Sequence, residues 1–144
     1  MKFMIVGKSN AEVEAGALPE PGIVEAMHEY NATLARAGVL LAAEGLYPSS
    51  AGAQIAYDKD GRATVLDGPF AEAKELIAGF WLIQVKSREE ALEWAMRVPV
   101  PRGGYEGVGL DVWRVYDASD AADESVPPEA FERTLHERLR GDDH

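Results

Sequence analysis

The stretch GFWLIQVK at residues 79–86 constrains this chain more than any other. In a strand, successive side chains point to opposite faces. Phe80 and Leu82 then fall on one side, and Trp81, Ile83 and Val85 on the other. Residues 2–7 behave alike, with Phe3 and Ile5 opposing Met4 and Val6. So do residues 108–116, with Val108, Leu110 and Val112 opposing Trp113 and Val115. A sheet built from such strands needs cover front and back. At ~25 cal/mol per Å², several hundred Å² of wet apolar surface forfeits many kcal/mol.

Helices able to supply that cover are few. Pro21 can occupy a first helical turn, where no backbone donor is needed. Ile23, Met27, Tyr30 and Leu34 then recur at helical spacing and form one apolar stripe, which Gly38 can close in the left-handed conformation. Ser87, Arg88, Glu89 and Glu90 read as a capping box. It opens a second helix with Ala91, Leu92, Ala95 and Met96 inward, ended by Pro99 and Pro101. Between the helices lie a strand at 39–46, a turn YPSS at 47–50, and two short strands at 53–57 and 62–66. Asp60 and Gly61 join those two strands, because both tolerate positive φ. Residues 11–20 read as a loop. The order predicts an α+β fold, a ferredoxin-like split βαβ with an inserted β-hairpin. Two helices cover only one sheet face, so the other predicts a homodimer packed sheet against sheet.

At 144 residues the chain suits one domain and a tail. The boundary falls where composition turns small, polar and acidic: a domain at 1–116, then an acidic linker and C-terminal helix at 117–144, with Phe131, Leu135 and Leu139 on one face. The formal charge is −11 with no basic cluster, which argues against nucleic acid or an anionic membrane as partner. Without cysteine there is no disulfide and no thiol chemistry. No apolar run reaches a membrane span, and MKFMIVGKSNAEVE turns polar too early for a signal peptide, so a cytoplasmic protein is expected. The glycines at 103–109 precede a strand rather than a helix, so no helix N-terminus receives a phosphate there. No cofactor or metal motif stands out; Glu25 and His28 share a helix face but lack further ligands.

The densest segment is DGPF at 67–70, followed by AEAKE at 71–75 and GFW at 79–81. With MKFMIVGK at 1–8, EAMHEYN at 25–31, AGVLLAAEGLYPSS at 37–50 and QVKSREEA at 84–91, it resembles the DGPF subgroup of the YciI-like (YCII-related) domain proteins. The resemblance implies a dimeric α+β barrel of ferredoxin-like protomers. It also implies an association with extracytoplasmic-function sigma factors, and an enzyme activity suggested from a His–Asp pair.

The residues leave two readings of DGPF open. Asp67 can end a strand and accept from backbone N–H groups ahead, with Gly68 extended before Pro69 and Phe70 plugging the core. Alternatively Asp67, Phe70, Glu72 and Lys74 rim a pocket. His28 is the one histidine outside the tail, and a neighbouring carboxylate could orient it as a base. His28 with Asp67 is therefore the candidate catalytic dyad, or else His28 is an exposed helical histidine. Tyr30, Asn31, Glu44 and Trp81 complete the ligand-binding candidates: Tyr30 as a core residue with a tethered hydroxyl, Asn31 as a side-chain hydrogen-bonding group. Two functions follow: a small-ligand-binding or accessory module, possible in sigma-factor signalling, or a small acid–base enzyme.

Overall fold

A computed structural model describes residues 1–70, 75–100 and 109–117. The elements run β1 (Lys2–Lys8), α1 (Ala11–Glu14), α2 (Pro21–Arg36), β2 (Leu40–Gly45), a 3-10 turn (Ser49–Ala51), β3 (Ala53–Tyr57), β4 (Ala63–Asp67), β5 (Ile77–Gln84), α3 (Arg88–Met96) and β6 (Leu110–Val115). The main sheet has the order β2-β5-β1-β6, antiparallel throughout. Setting aside the β3–β4 hairpin, this is the split βαβ arrangement expected from the sequence: β5 lies between β1 and β2, and β1 between β5 and β6. The fold is α+β.

Pleat alternation places Phe3 and Ile5 of β1 opposite Ile83 and Trp81 of β5, on one sheet face. Tyr30 and Leu34 of α2 and Ala91 and Ala95 of α3 complete a single buried cluster with them. Both helices therefore cover the same face. Met4, Phe80 and Leu82 lie on the other face and stay partly exposed, and Trp113 beside them is 59% exposed. Lys8 of β1 pairs with Asp111 of β6 at 2.8 Å, partly in solvent, a contact worth at most about 1 kcal/mol.

Local chemistry explains the helix ends. Pro21 sits at the start of α2, and Gly38 takes φ +73 just after it. Ser87 accepts from the Glu90 N–H at 3.1 Å, while the Glu90 carboxylate accepts from Lys86 N–H rather than from Ser87. Met96, expected inward, is 78% exposed: α3 is only nine residues long and its buried side is Ala91 and Ala95. The expected loop at 11–20 contains the one-turn α1, because Asn10 caps it by accepting from Val13 N–H at 2.8 Å. The expected tail helix beginning near Pro127 and Pro128, and the glycines at 103–107, lie outside the described residues.

Tyr30 is buried, and its hydroxyl donates to the Trp94 carbonyl at 2.7 Å. Burial pushes its pKa up from 10.0 to about 12, against a smaller lowering by Arg97. Between those values the unfolded chain sheds a proton that the folded chain keeps, so stability falls as pH rises. A gap of that size amounts to roughly 2–3 kcal/mol, wholly present below pH ~10 and lost by pH ~12. Tyr30→Phe is expected to cost about 1 kcal/mol at neutral pH through the lost hydrogen bond and to flatten the alkaline slope. Urea midpoints of both proteins at about pH 9 and about pH 11.5 check this; equal slopes would contradict it.

Candidate functional site

Gly7, Gly79 and Gly45 are successive Cα partners across β1, β5 and β2. Each lies two residues from an inward-facing side chain (Ile5, Trp81 and Ala43), so the row faces the helices. Three adjacent strands therefore present bare backbone where side chains would otherwise reach α2. Above this floor stand Met27 and Asn31 of α2, and the space between is a cleft of ≈ 330 Å³. Pro19, Glu44, Phe80 and Trp81 also line it. The volume lies at the small end of ligand sites. Gly79 is required for a second reason: a Cβ there would meet the Glu44 carbonyl oxygen of β2 at 2.8 Å. A Cβ on Gly45 would meet nothing within 4 Å.

The wall is built by one aromatic and one amide contact. Tyr30 meets Trp81 edge-to-face with ring centroids 5.6 Å apart. The Trp81 indole N–H donates to Asn31 Oδ1 at 2.6 Å. An indole nitrogen can only donate, so the amide oxygen of Asn31 must face it. Asn31 Nδ2 then keeps its two N–H groups without a protein partner among the described residues. Glu44 is exposed on edge strand β2, and Tyr30 supports the wall from behind.

The DGPF segment is built around Ser49. The Gly68 N–H donates to the Gly52 carbonyl at 2.9 Å, and the Phe70 N–H to Ser49 Oγ at 2.9 Å. Ser49 in turn donates from its backbone N–H to one Glu14 carboxylate oxygen at 2.9 Å and from its hydroxyl to the other. The Gly68–Pro69 peptide is cis. A Cβ on Gly68 would lie 1.7 Å from the Ser49 carbonyl oxygen. The motif's glycine allows this close approach to a neighbouring chain segment. Asp67 ends β4 as expected, but its carboxylate accepts no hydrogen bond among the described residues, because Ser49 takes the N–H of Phe70 instead. Phe70 is partly buried, outside the main core cluster.

The candidates therefore divide. Asn31, Glu44 and Trp81 line the cleft and Tyr30 touches its wall. His28 is exposed on α2 and Asp67 exposed on the hairpin, and no hydrogen bond joins them. Glu72 and Lys74 lie outside the described residues. Among the described residues no group of three or more His, Cys, Asp or Glu is placed to hold a metal ion, and no helix is long and apolar enough to cross a membrane. The strand glycines were the missed signal: glycine inside a strand marks close approach of a ligand or another backbone.

An antiparallel sheet with both helices on one face and a glycine-floored cleft under the first long helix defines a ferredoxin-like α+β domain. The model of the YCII-related domain matches residues 1–114, and the chain belongs to that family. An uncharacterized protein of Rhizobium meliloti (strain 1021) is 44% identical over 59 residues, 41% of this chain and 47% of the relative, so the match spans about half of that protein's length. Among solved structures, 5-chloro-2-hydroxyhydroquinone dehydrochlorinase (TftG) from Burkholderia phenoliruptrix AC1100, in complex with 2,5-dihydroxybenzoquinone, aligns with a TM-score of 0.42 at 12% identity over 83% of this chain and 97% of that one.

Proposed function

We propose that this YCII-related protein is a small-ligand-binding module whose site is the cleft between α2 and the glycine row. The observation that carries this reading is the row itself. Three strands forgo inward side chains at one level, at a cost in strand stability. The cleft that results holds an amide with unused donors. Sigma-factor signalling, where the resemblance implies it, would act through occupancy of this cleft.

Gly45→Val tests it. The position is open and on an edge strand, and valine suits a strand. Folding is therefore expected to survive while the added methyl groups fill the cleft. Metabolites that raise the melting temperature of the natural chain in a thermal-shift screen should lose that effect on the variant. Hits that stabilise both proteins equally would place the ligand elsewhere.

The functional unit in this reading is a homodimer. Support comes from two uncovered apolar surfaces on one chain. The outer sheet face carries Trp113 with Met4, Phe80 and Leu82. The β3–β4 hairpin is exposed along its whole length, and pleat alternation puts Ile55, Tyr57 and Val65 on one of its faces. An isolated two-stranded hairpin is marginal in water. Light scattering is expected to give twice the 15.6 kDa chain mass; a monomer at micromolar concentration removes the dimer from the proposal.

A further inference from the structure

We propose, resting on the cleft reading above, that residues 15–20 are a strap that closes over the cleft with Leu18 as its contact residue, and that the DGPF segment holds the strap in place through Glu14. The segment joins the end of α1 to the start of α2, and its Pro19 lines the cleft. Leu18, the chain neighbour of Pro19, is 91% exposed. A single exposed leucine is ordinary on a surface. One that borders a cleft of ≈ 330 Å³, with Met27, Ala43 and Trp81 in its lining, has a place to be buried. Little restrains the segment where it passes the cleft. The N–H groups of Ala15, Gly16 and Ala17 donate back into α1, but neither the N–H nor the carbonyl of Leu18, nor the carbonyl of Pro19, has a hydrogen-bond partner among the described residues. Gly16 takes φ +91, and with Ala15 and Ala17 beside it three small residues can absorb a rotation. Closing elements are drawn from such stretches, with few backbone bonds and small residues at the hinge. The fixed end is α1. It has no buried residue, so packing alone does not hold it. Its Glu14 carboxylate accepts from the Ser49 N–H on one oxygen and from the Ser49 hydroxyl on the other. Ser49 is buried and takes the N–H of Phe70 on the same hydroxyl oxygen. The strap is thus fastened to the serine around which DGPF is built, and Glu14 is a positioning residue for Leu18.

The chain has no cysteine, so a disulfide can catch the closed strap. In the full chain carrying Leu18→Cys and Gly45→Cys, the second thiol stands on the glycine row, where a Cβ meets nothing within 4 Å. The bond forms only when the two Cα atoms come within about 7 Å. With copper phenanthroline as oxidant, the internally joined chain is expected to form at least about tenfold faster than in Leu18→Cys with Met96→Cys. Met96 is exposed on α3 and outside the cleft lining, so that pair reports random encounter. Adding Glu14→Ala to the first pair is expected to slow joining about fivefold, and Glu14→Gln, which keeps an oxygen for the Ser49 N–H, to restore most of the rate. Equal rates for the two cysteine pairs overturn the strap. Both pairs keep Glu14, so their comparison decides the strap whatever Glu14→Ala does to stability. A rate that Glu14→Ala leaves untouched, or that Glu14→Gln fails to restore, overturns the tie to DGPF. Trapping needs no ligand, so it can fail while the Gly45→Val test succeeds, and the two failures are told apart.

Discussion

Gly68→Ala is expected to destabilise the protein by about 3 kcal/mol or more, among the larger effects a single methyl group can have. The added Cβ would sit 1.7 Å from the Ser49 carbonyl oxygen, with the Ser49 carbonyl carbon at 2.6 Å. Both are backbone atoms, so no side chain can rotate away. Relief requires the β4 end to part from the Ser49 turn. That parting breaks the Gly68–Gly52 and Phe70–Ser49 hydrogen bonds and leaves Ser49 held by Glu14 and by the Gly52 N–H of its own turn. The β4 end then separates from the Ser49 turn that precedes β3. Urea unfolding measures the global cost, and hydrogen exchange at the Gly68 and Phe70 amides locates it. A change below about 1 kcal/mol with unaltered exchange would show that the contact is not needed. Gly45→Ala is the matched control, since its Cβ meets nothing within 4 Å.

Ile83→Ala is expected to cost about 2–5 kcal/mol. Ile83 is fully buried in β5, opposite Phe3 on one side and Leu40 on the other. It faces the cluster formed with Tyr30, Leu34 and Ala91. Truncation leaves a cavity in the middle of the sheet, walled by two strands and two helices that cannot all move inward. Domains of this kind have only about 5–15 kcal/mol in total, so the urea midpoint should fall by a large fraction. Met96→Ala, on the exposed side of α3, should stay within about 0.5 kcal/mol. If the two variants cost the same, the inner face is not where the stability resides.

Period and punctuation made most of the framework legible. The 3.6-residue stripe through Met27, Tyr30 and Leu34, the two-residue alternation in β1 and β5, and the Asp60-Gly61 turn are local signals, and local chemistry sets the elements they mark. Gly61 takes φ +80 as that turn requires. Met96 was misleading because a hydrophobic residue at helical spacing says nothing about where the helix stops being covered. Tyr30 and Asn31 were legible for the opposite reason: a phenol on a buried stripe and an amide in a helix interior both need a partner, whichever partner the fold supplies.

Read along the chain, Gly7, Gly45 and Gly79 are three unrelated glycines separated by dozens of residues. They become a floor only when β5 inserts between β1 and β2 in one particular register. Ser49, Glu14 and Gly68 likewise belong to three segments whose meeting no local pattern encodes. The amino-acid order alone determined the elements, their two-faced greasiness and the α+β class, because these depend on neighbours a few residues apart. Tertiary structure alone decided the cleft, the direction of the Asn31 amide and the reason for glycine in DGPF, because each depends on distances between residues that the chain itself holds far apart.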